Sequence, residues 1–134
     1  MTGFTEAADI KKARIFMDKI TKGNIGEIAA LNLLRNKGYK IIEINWETKI
    51  GELDIVAVHG ETLVFVEVKG SASLKYGNPS ERVDFRKQRK LSMMAAQYIK
   101  TKRLFDAAAR FDVIEVCGSW INHIENAFES QIRM

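Results

Sequence analysis

The chain has 134 residues, of which 46% are apolar and 28% charged, and this length and composition favour one soluble globular domain. Its 21 basic and 17 acidic side chains leave a net charge of +4, a mild excess that is compatible with an anionic partner without requiring one. The one cysteine, Cys117, excludes an internal disulfide and a multi-cysteine zinc site. No segment has the roughly 20 apolar residues of a membrane span and no signal peptide begins the chain, so we expect a cytoplasmic protein without membrane contact.

Two helices are predicted before the first strand. Apolar side chains recur at helical spacing over residues 6–20, and we expect a helical N-terminal extension at 1–22 ahead of a single domain at 23–134. The next helix is predicted over 24–37, with Gly38 as its stop. The segment YKIIEINWE then has the composition of a strand, and it leads to a hairpin with the sequence GELDIVAVHGETLVFVEVKG.

A further helix is predicted after a polar loop at residues 70–78. Asn78 as N-cap, Pro79 in the first helical position and Glu81 in the third form a capping box, and the helix is expected to run to about residue 102. RFDVIEVC and WINHIENAF then predict two strands joined by a turn. The resulting order predicts an α/β fold in which helices cover both faces of a mixed sheet.

Four charged side chains lie near the open end of the predicted hairpin. A two-residue turn at 60–61, with glycine where a type II′ turn favours it, sets the hairpin register. In that register Asp54 lies opposite Glu67, and Glu52 lies opposite Lys69. Opposed carboxylates destabilise a sheet unless they share a proton or bind a cation. Oxygen ligands of this kind suit Mg²⁺ or Mn²⁺.

Lys69 follows Glu67 by two residues and is therefore expected on the same face of the strand. From there it could orient or deprotonate a water molecule, or stabilise charge that develops on a phosphate. An aspartate followed by Glu-x-Lys thus has the groups needed for metal-assisted hydrolysis of a phosphodiester. The alternative interpretation is that Asp54 and Glu67 are solvated carboxylates at strand ends, with Lys69 as their salt-bridge partner.

The motif Gly51-Glu52-x-Asp54, followed after a hairpin by Glu67-x-Lys69, resembles the core of the PD-(D/E)XK nuclease superfamily. Over about residues 23–128 the chain also resembles the YraN-like family of uncharacterised proteins, which is distantly similar to archaeal Holliday-junction resolvases. The stretches that carry this resemblance are GNIGEIAALNLLRNKGYKIIEIN, GELDIVA, LVFVEVK, KQRKL, RFDVIEV and INHIENAF. It implies a restriction-endonuclease-like fold, with a central mixed sheet flanked by helices, and a metal-dependent endonuclease acting on DNA, including branched or structured DNA.

The resemblance also implies roles for individual residues. The positions that match catalytic residues are Asp54, Glu67 and Lys69. The positions that match metal ligands are Glu27, Asp54, Glu67 and the backbone carbonyl of Val68. Lys87 and Gln88 match a supporting position that touches the site or the substrate. Arg86 and Lys90 are basic neighbours on the same helix, and they would contact the phosphates of the nucleic acid.

Some of these positions have a simpler interpretation, and two other functions stay open. Glu27 suits the first turn of any helix, and the basic residues at 86–90 suit any solvated helix face. Basic residues usually follow the catalytic lysine in the family that the chain resembles, whereas residues 70–72 here are Gly, Ser and Ala. This difference favours a second hypothesis, a nucleic-acid-binding or partner-binding module with little or no catalysis. A structural interaction protein is the third. DNA is the expected partner, and analogy with resolvases adds a homodimer as an option.

Overall fold

The computed structural model describes residues 25–70 and 83–132. Within them lie helices α1 (Ile25–Asn36) and α2 (Phe85–Lys102) and strands β1 (Lys40–Thr48), β2 (Gly51–His59), β3 (Thr62–Gly70), β4 (Ala108–Cys117) and β5 (Trp120–Phe128). The predicted order of helix, three strands, helix and two strands is confirmed. The predicted N-terminal helix at 1–22 and the capping box at Asn78 lie outside the described residues.

The five strands form one mixed sheet with the order β1-β2-β3-β4-β5. The first three strands form an antiparallel meander, and the last two form an antiparallel hairpin. Strand β4 pairs parallel with β3, and helix α2 lies in the crossover connection between them. The chain therefore has an α/β fold that is consistent with a restriction-endonuclease-like arrangement, as predicted.

Each face of the sheet is covered by one helix, which explains why the central strands are apolar on both sides. On the first face the buried contacts with α1 include Leu31, Leu34, Ile55, Val66 and Ile114. On the second face the buried contacts with α2 include Phe65, Leu91, Met94, Tyr98 and Val113. Neither helix is long and apolar enough to cross a membrane.

Helix α2 begins later than its sequence predicts. Asp84 is the N-cap, in an extended conformation with φ −66° and ψ 172°, and its side chain accepts the N–H of Lys87 at 2.9 Å. Val83 just before it is fully buried in the core of the second face. The prediction of one continuous helix from residue 79 to 102 is therefore wrong, because the chain is extended at Asp84. The predicted end is confirmed, since Arg103 adopts the left-handed conformation that closes the helix.

A buried polar network on the α1 face ties β4 to β5. Asp112 is 0% exposed. Its carboxylate lies 2.7 Å from Nε2 of His123 and 3.0 Å from Nε of Arg110, and it accepts the backbone N–H of Asn126 at 2.9 Å. Asn126 lies opposite Asp112 at an irregularity in the β4–β5 register and has a positive φ of 51°. The carboxylate therefore holds this bulge of β5 in place.

Candidate functional site

The β2–β3 hairpin has the register that its turn predicts. His59 pairs with Thr62, and the paired residues continue to Ile55 opposite Val66. Gly60 has a φ of +62°, as the first central residue of a type II′ turn requires. Asp54 and Glu67 are the next residues outward from this last pair, one on each strand. The sheet thus brings the two predicted carboxylates to the same point of the hairpin.

Asp54 lies where the two strands of the hairpin cease to pair. Its Oδ2 accepts the backbone N–H of Val68 at 2.9 Å, and its carboxyl group shares a hydrogen bond with Glu67. The side chain of Asp54 thus accepts an N–H of β3 that a backbone carbonyl of β2 would accept in a regular ladder. This contact fixes the orientation of the Asp54 carboxylate against the strand that carries the Glu-x-Lys motif.

Two further carboxylates approach Asp54 from the other side. The side-chain oxygens of Glu27, Glu52 and Asp54 lie within 4.8 Å of one another. Glu27 stands in the first turn of α1, and Glu52 stands on β2 two residues before Asp54. We call these three residues the acidic cluster. Glu27 and Asp54 were predicted as metal ligands. Glu52 was predicted to pair with Lys69, but the paired residues of the hairpin end at Ile55 and Val66.

Glu67 joins the acidic cluster to helix α2. Its side chain is 5% exposed, and its Oε2 lies 3.3 Å from Nζ of Lys87. Lys87 was predicted to support the site or contact the substrate, and the structure places its ammonium group directly on a predicted metal ligand. Glu67 is therefore held between the carboxyl group of Asp54 and a cation from the second face of the sheet.

Lys69 stands on β3 two residues beyond Glu67 and is partly exposed. In the parallel ladder it pairs with Glu115 of β4, which is 1% exposed. Alternation along the strands puts Glu67, Lys69 and Glu115 on the same side of the sheet. The predicted catalytic lysine therefore has a buried acid beside it as well as one two residues before it.

The remaining predicted substrate-binding residues lie on the first two turns of α2. Arg86 and Lys90 are exposed, one turn apart on the same side of the helix. Gln88 instead donates its side-chain amide to the backbone carbonyl of Val83 at 2.7 Å, which helps to hold the chain as it enters the helix. The structure thus separates Gln88, which is engaged locally, from the basic residues that face solvent.

Three residues near the site carried no predicted ligand role. Glu52 was predicted opposite Lys69, whereas the hairpin ladder ends at Ile55 and the Glu52 carboxylate lies near those of Glu27 and Asp54. Asn45 of β1 hydrogen-bonds Glu27 from a position with φ +49°, and its sequence gives no signal for this conformation. Glu115 could have been noticed as a lone acid in the apolar run VIEVC.

Two carboxyl groups of the site, those of Asp54 and Glu27, have a raised pKa. Burial raises the pKa of Asp54 to about 8, and the charge of Glu67 and the hydrogen bond shared with it act in the same direction, while the N–H of Val68 and the cation of Lys87 oppose them. Burial also raises the pKa of Glu27, together with the charges of Asp54 and Glu52, against a lowering by the bond from Asn45. Without a counter-cation, ionising these carboxyl groups in the folded protein therefore costs stability.

The donor set fits a hard divalent cation. The acidic cluster offers only carboxylate oxygens, which are the ligands that Mg²⁺ and Mn²⁺ prefer over nitrogen or sulfur. Asp54 is fixed by the N–H of Val68, so its orientation need not be created when a cation binds. The repulsion among Glu27, Glu52 and Asp54 is the kind that a divalent cation would relieve.

In metal-free protein, replacing Asp54 by Asn is expected to raise the free energy of unfolding near neutral pH by about 1–3 kcal/mol, because folding forces a proton back onto the buried Asp54 carboxyl group, whereas the neutral amide needs none. The folded protein holds a proton on Asp54 up to about pH 8, whereas the unfolded chain loses it near 3.8. The free energy of unfolding of the wild type should therefore fall as the pH rises through this window. Urea denaturation in EDTA at several pH values measures this fall.

The matched control for this experiment is Asp106→Asn, which changes an exposed carboxylate away from the site. That variant should follow the pH dependence of the wild type. If Asp54→Asn followed it as well, the carboxyl groups of the site would not repel one another in the folded protein.

The chain is similar to a set of bacterial proteins over most of its length. The model of the uncharacterised protein family UPF0102 matches residues 26–116. A UPF0102 protein of Clostridioides difficile (strain 630) is 46% identical over 114 residues, which cover 84% of this chain and 100% of that protein. A UPF0102 protein of Caldanaerobacter subterraneus subsp. tengcongensis is 44% identical over 119 residues, covering 84% and 98%. One from Caldicellulosiruptor saccharolyticus is 42% identical over 118 residues, covering 84% and 100%.

Proposed function

The chain belongs to the uncharacterised protein family UPF0102, the YraN family, and we propose that it is a metal-dependent endonuclease that hydrolyses phosphodiester bonds in DNA. The nuclease-like motifs of the chain are consistent with this family. The observation that carries the proposal is the convergence of Glu27, Glu52 and Asp54, whose carboxylate oxygens lie within 4.8 Å of one another. Glu67 and Lys69 stand beside them on the adjacent strand.

Glu27, Glu52 and Asp54 would hold the cation, with Glu67 joining them and the backbone at Val68 next to Asp54. When bound, Mg²⁺ or Mn²⁺ supplies a Lewis acid for the phosphate and lowers the pKa of a coordinated water. Carboxylates from one helix and two strands are needed because each of these elements alone contributes at most two ligands to the site.

Lys69 would act on the attacking water or on the phosphate. Its ammonium group can stabilise the negative charge that grows on the phosphate oxygens, and in its neutral form it can take the proton of the attacking water. In the hydrolysis, the water oxygen forms a bond to phosphorus while the bond to the leaving sugar oxygen breaks. That oxygen then takes up a proton. Lys69 is partly exposed at the end of β3, where a phosphate can reach it.

A second candidate function is DNA binding without cleavage, and one contact favours it. The ammonium group of Lys87 already lies 3.3 Å from Oε2 of Glu67, so a cation from the protein itself neutralises one of the predicted ligands. A protein that had lost its metal could keep its carboxylates in place in this way. The two functions differ in whether the acidic cluster binds a divalent cation.

Calorimetric titration with Mn²⁺ distinguishes them. We expect the wild type to bind Mn²⁺ stoichiometrically and Asp54→Asn to lose this binding, because the variant removes the carboxylate shared by the acidic cluster and Glu67. Asp106→Asn is again the matched control and should bind as the wild type does. A second titration in the presence of a DNA oligonucleotide covers the case in which a phosphate oxygen completes the site. Absence of binding in both titrations would overturn the proposal and favour the second candidate.

A further inference from the structure

Helix α2 presents an exposed aromatic ring at the end that borders the site. Phe85 is the first residue of the helix, directly after the N-cap Asp84, and it is 74% exposed. An aromatic side chain left in water forfeits the hydrophobic stabilisation that burial would give. The core of the second face is filled by other residues of the same helix, so Phe85 contributes nothing to packing there.

Apart from the N-cap Asp84, the exposed side chains next to Phe85 on the first two turns of α2 are basic. Arg89 lies one turn further on the same side of the helix, and Arg86 and Lys90 form a second pair one turn apart beside it. The first turn of α2 has no acidic residue, although the positive end of the helix macrodipole favours acids there. These positions therefore gather positive charge where helix stability disfavours it. We call Phe85, Arg86, Arg89 and Lys90 the α2 surface.

The α2 surface is continuous with the acidic site. Lys87, within the same two turns, reaches Glu67 at 3.3 Å. The side chain of Lys90 passes Gly51, where an added Cβ would lie 4.0 Å from its Cε, and Gly51 directly precedes Glu52 of the acidic cluster. A polyanion that followed the basic residues would therefore run along the border of the site.

From these observations we propose that the α2 surface binds a single-stranded segment of DNA, with the ring of Phe85 stacked on an unpaired base and the basic residues on the adjacent phosphates. The inference rests on the proposed function, because it names the form of DNA that the site would receive. Duplex DNA would offer phosphates to the basic residues but no free base face to Phe85. Single strands are bound by this combination of positive charge and exposed aromatic rings.

Fluorescence anisotropy of a labelled oligothymidylate in EDTA tests the proposal without any cleavage. Phe85→Ala should weaken single-strand binding by about tenfold, the size of effect expected when one base–aromatic stack is lost. It should leave duplex binding nearly unchanged, because the phosphate contacts remain. Phe85→Tyr should restore binding and Phe85→Leu should not, since only the former keeps an aromatic face.

The matched control is Phe105→Ala. Phe105 is 67% exposed but lies beyond the opposite end of α2, and the helix between Phe85 and Lys102 is about 26 Å long at 1.5 Å per residue. This variant should bind single strands as the wild type does. Equal losses for Phe85→Ala and Phe105→Ala, or equal weakening of single-strand and duplex binding by Phe85→Ala, would overturn the proposal. If Phe85 instead docks a protein partner, Phe85→Ala would weaken the binding of neither single-stranded nor duplex DNA, and this result would also overturn the proposal.

Salt dependence separates the charged part of the surface from the ring. Arg86→Ala and Arg89→Ala should weaken the binding of both single-stranded and duplex DNA and reduce the salt slope by about one each. Phe85→Ala should leave that slope unchanged. Wild-type protein that binds single strands through Phe85 but cleaves neither linear, flapped nor four-way DNA in Mn²⁺ would contradict the nuclease proposal alone. Cleavage without any dependence of binding on Phe85 would contradict the α2 surface alone.

Discussion

Replacing Glu67 by Gln is expected to reduce Mn²⁺-dependent DNA cleavage by at least about 100-fold, because even the outer partners of metal ligands are worth 10–100-fold. The amide keeps the shape of the side chain and a hydrogen-bonding group for Asp54, so the hairpin should stay folded. It carries no negative charge for the cation, and it leaves Lys87 without its ion-pair partner. Initial rates on a saturating DNA substrate, together with circular dichroism of the variant, measure both parts of this expectation.

Glu61→Gln provides the matched control for Glu67→Gln. Glu61 belongs to the same hairpin but is exposed in its turn, on the other side of the paired region from the site. This variant should cleave at the rate of the wild type. Cleavage retained by Glu67→Gln would remove Glu67 from the proposed mechanism, since its charge would then be dispensable.

Replacing Asp112 by Ala is expected to lower the free energy of unfolding by about 3–5 kcal/mol, the range for removing one partner of a buried ion pair. The substitution leaves three donors without their acceptor: Arg110, His123 and the backbone N–H of Asn126. The bulge of β5 loses its anchor as well. Urea denaturation at neutral pH measures the effect, and Glu125→Ala is the control, because Glu125 is exposed and accepts a single hydrogen bond from Tyr39.

The contribution of Asp112 should also depend on pH. Burial alone would raise the pKa of Asp112, but its hydrogen bonds with His123 and Arg110 and with the backbone of Asn126 outweigh burial and lower the pKa below its ordinary 3.8. The ionised carboxylate thus stabilises the fold fully above 3.8, and this stabilisation is lost as the pH falls through the folded pKa. Asp112→Ala should therefore lose less stability in acid. A loss no larger than that of Glu125→Ala at neutral pH would show that the network is not needed for stability.

Most of the fold could be predicted from sequence because its signals are local. The two-residue turn at Gly60 determines the hairpin register, and the doubly apolar strands require a helix on each face. The start of α2 was predicted wrongly because two capping sequences stand close together, at Asn78 and Asp84. Val83, directly before Asp84, is buried in the core, and burial depends on the whole core.

The candidate site could be predicted only in part, because its completion depends on irregular backbone. Register alone brings Asp54 and Glu67 together, and their contact follows from the hairpin. Glu52 joins Glu27 because the hairpin ladder ends at Ile55, which no local pattern indicates. Asn45 reaches Glu27 from a left-handed conformation in β1 that its neighbours do not predict. Features of this kind depend on contacts across the assembled sheet, so the local sequence does not predict them.

Cleavage by the wild-type protein tests the central claim most directly. Linear, flapped and four-way DNA would be incubated with the protein in Mn²⁺ and, in parallel, in EDTA. We predict cleavage of at least one of these substrates in Mn²⁺ and none in EDTA, because the acidic cluster of Glu27, Glu52 and Asp54 acts only with a bound cation. Intact DNA in every Mn²⁺ reaction, from a protein that binds the same substrates, would contradict the endonuclease proposal and leave a DNA-binding module in its place.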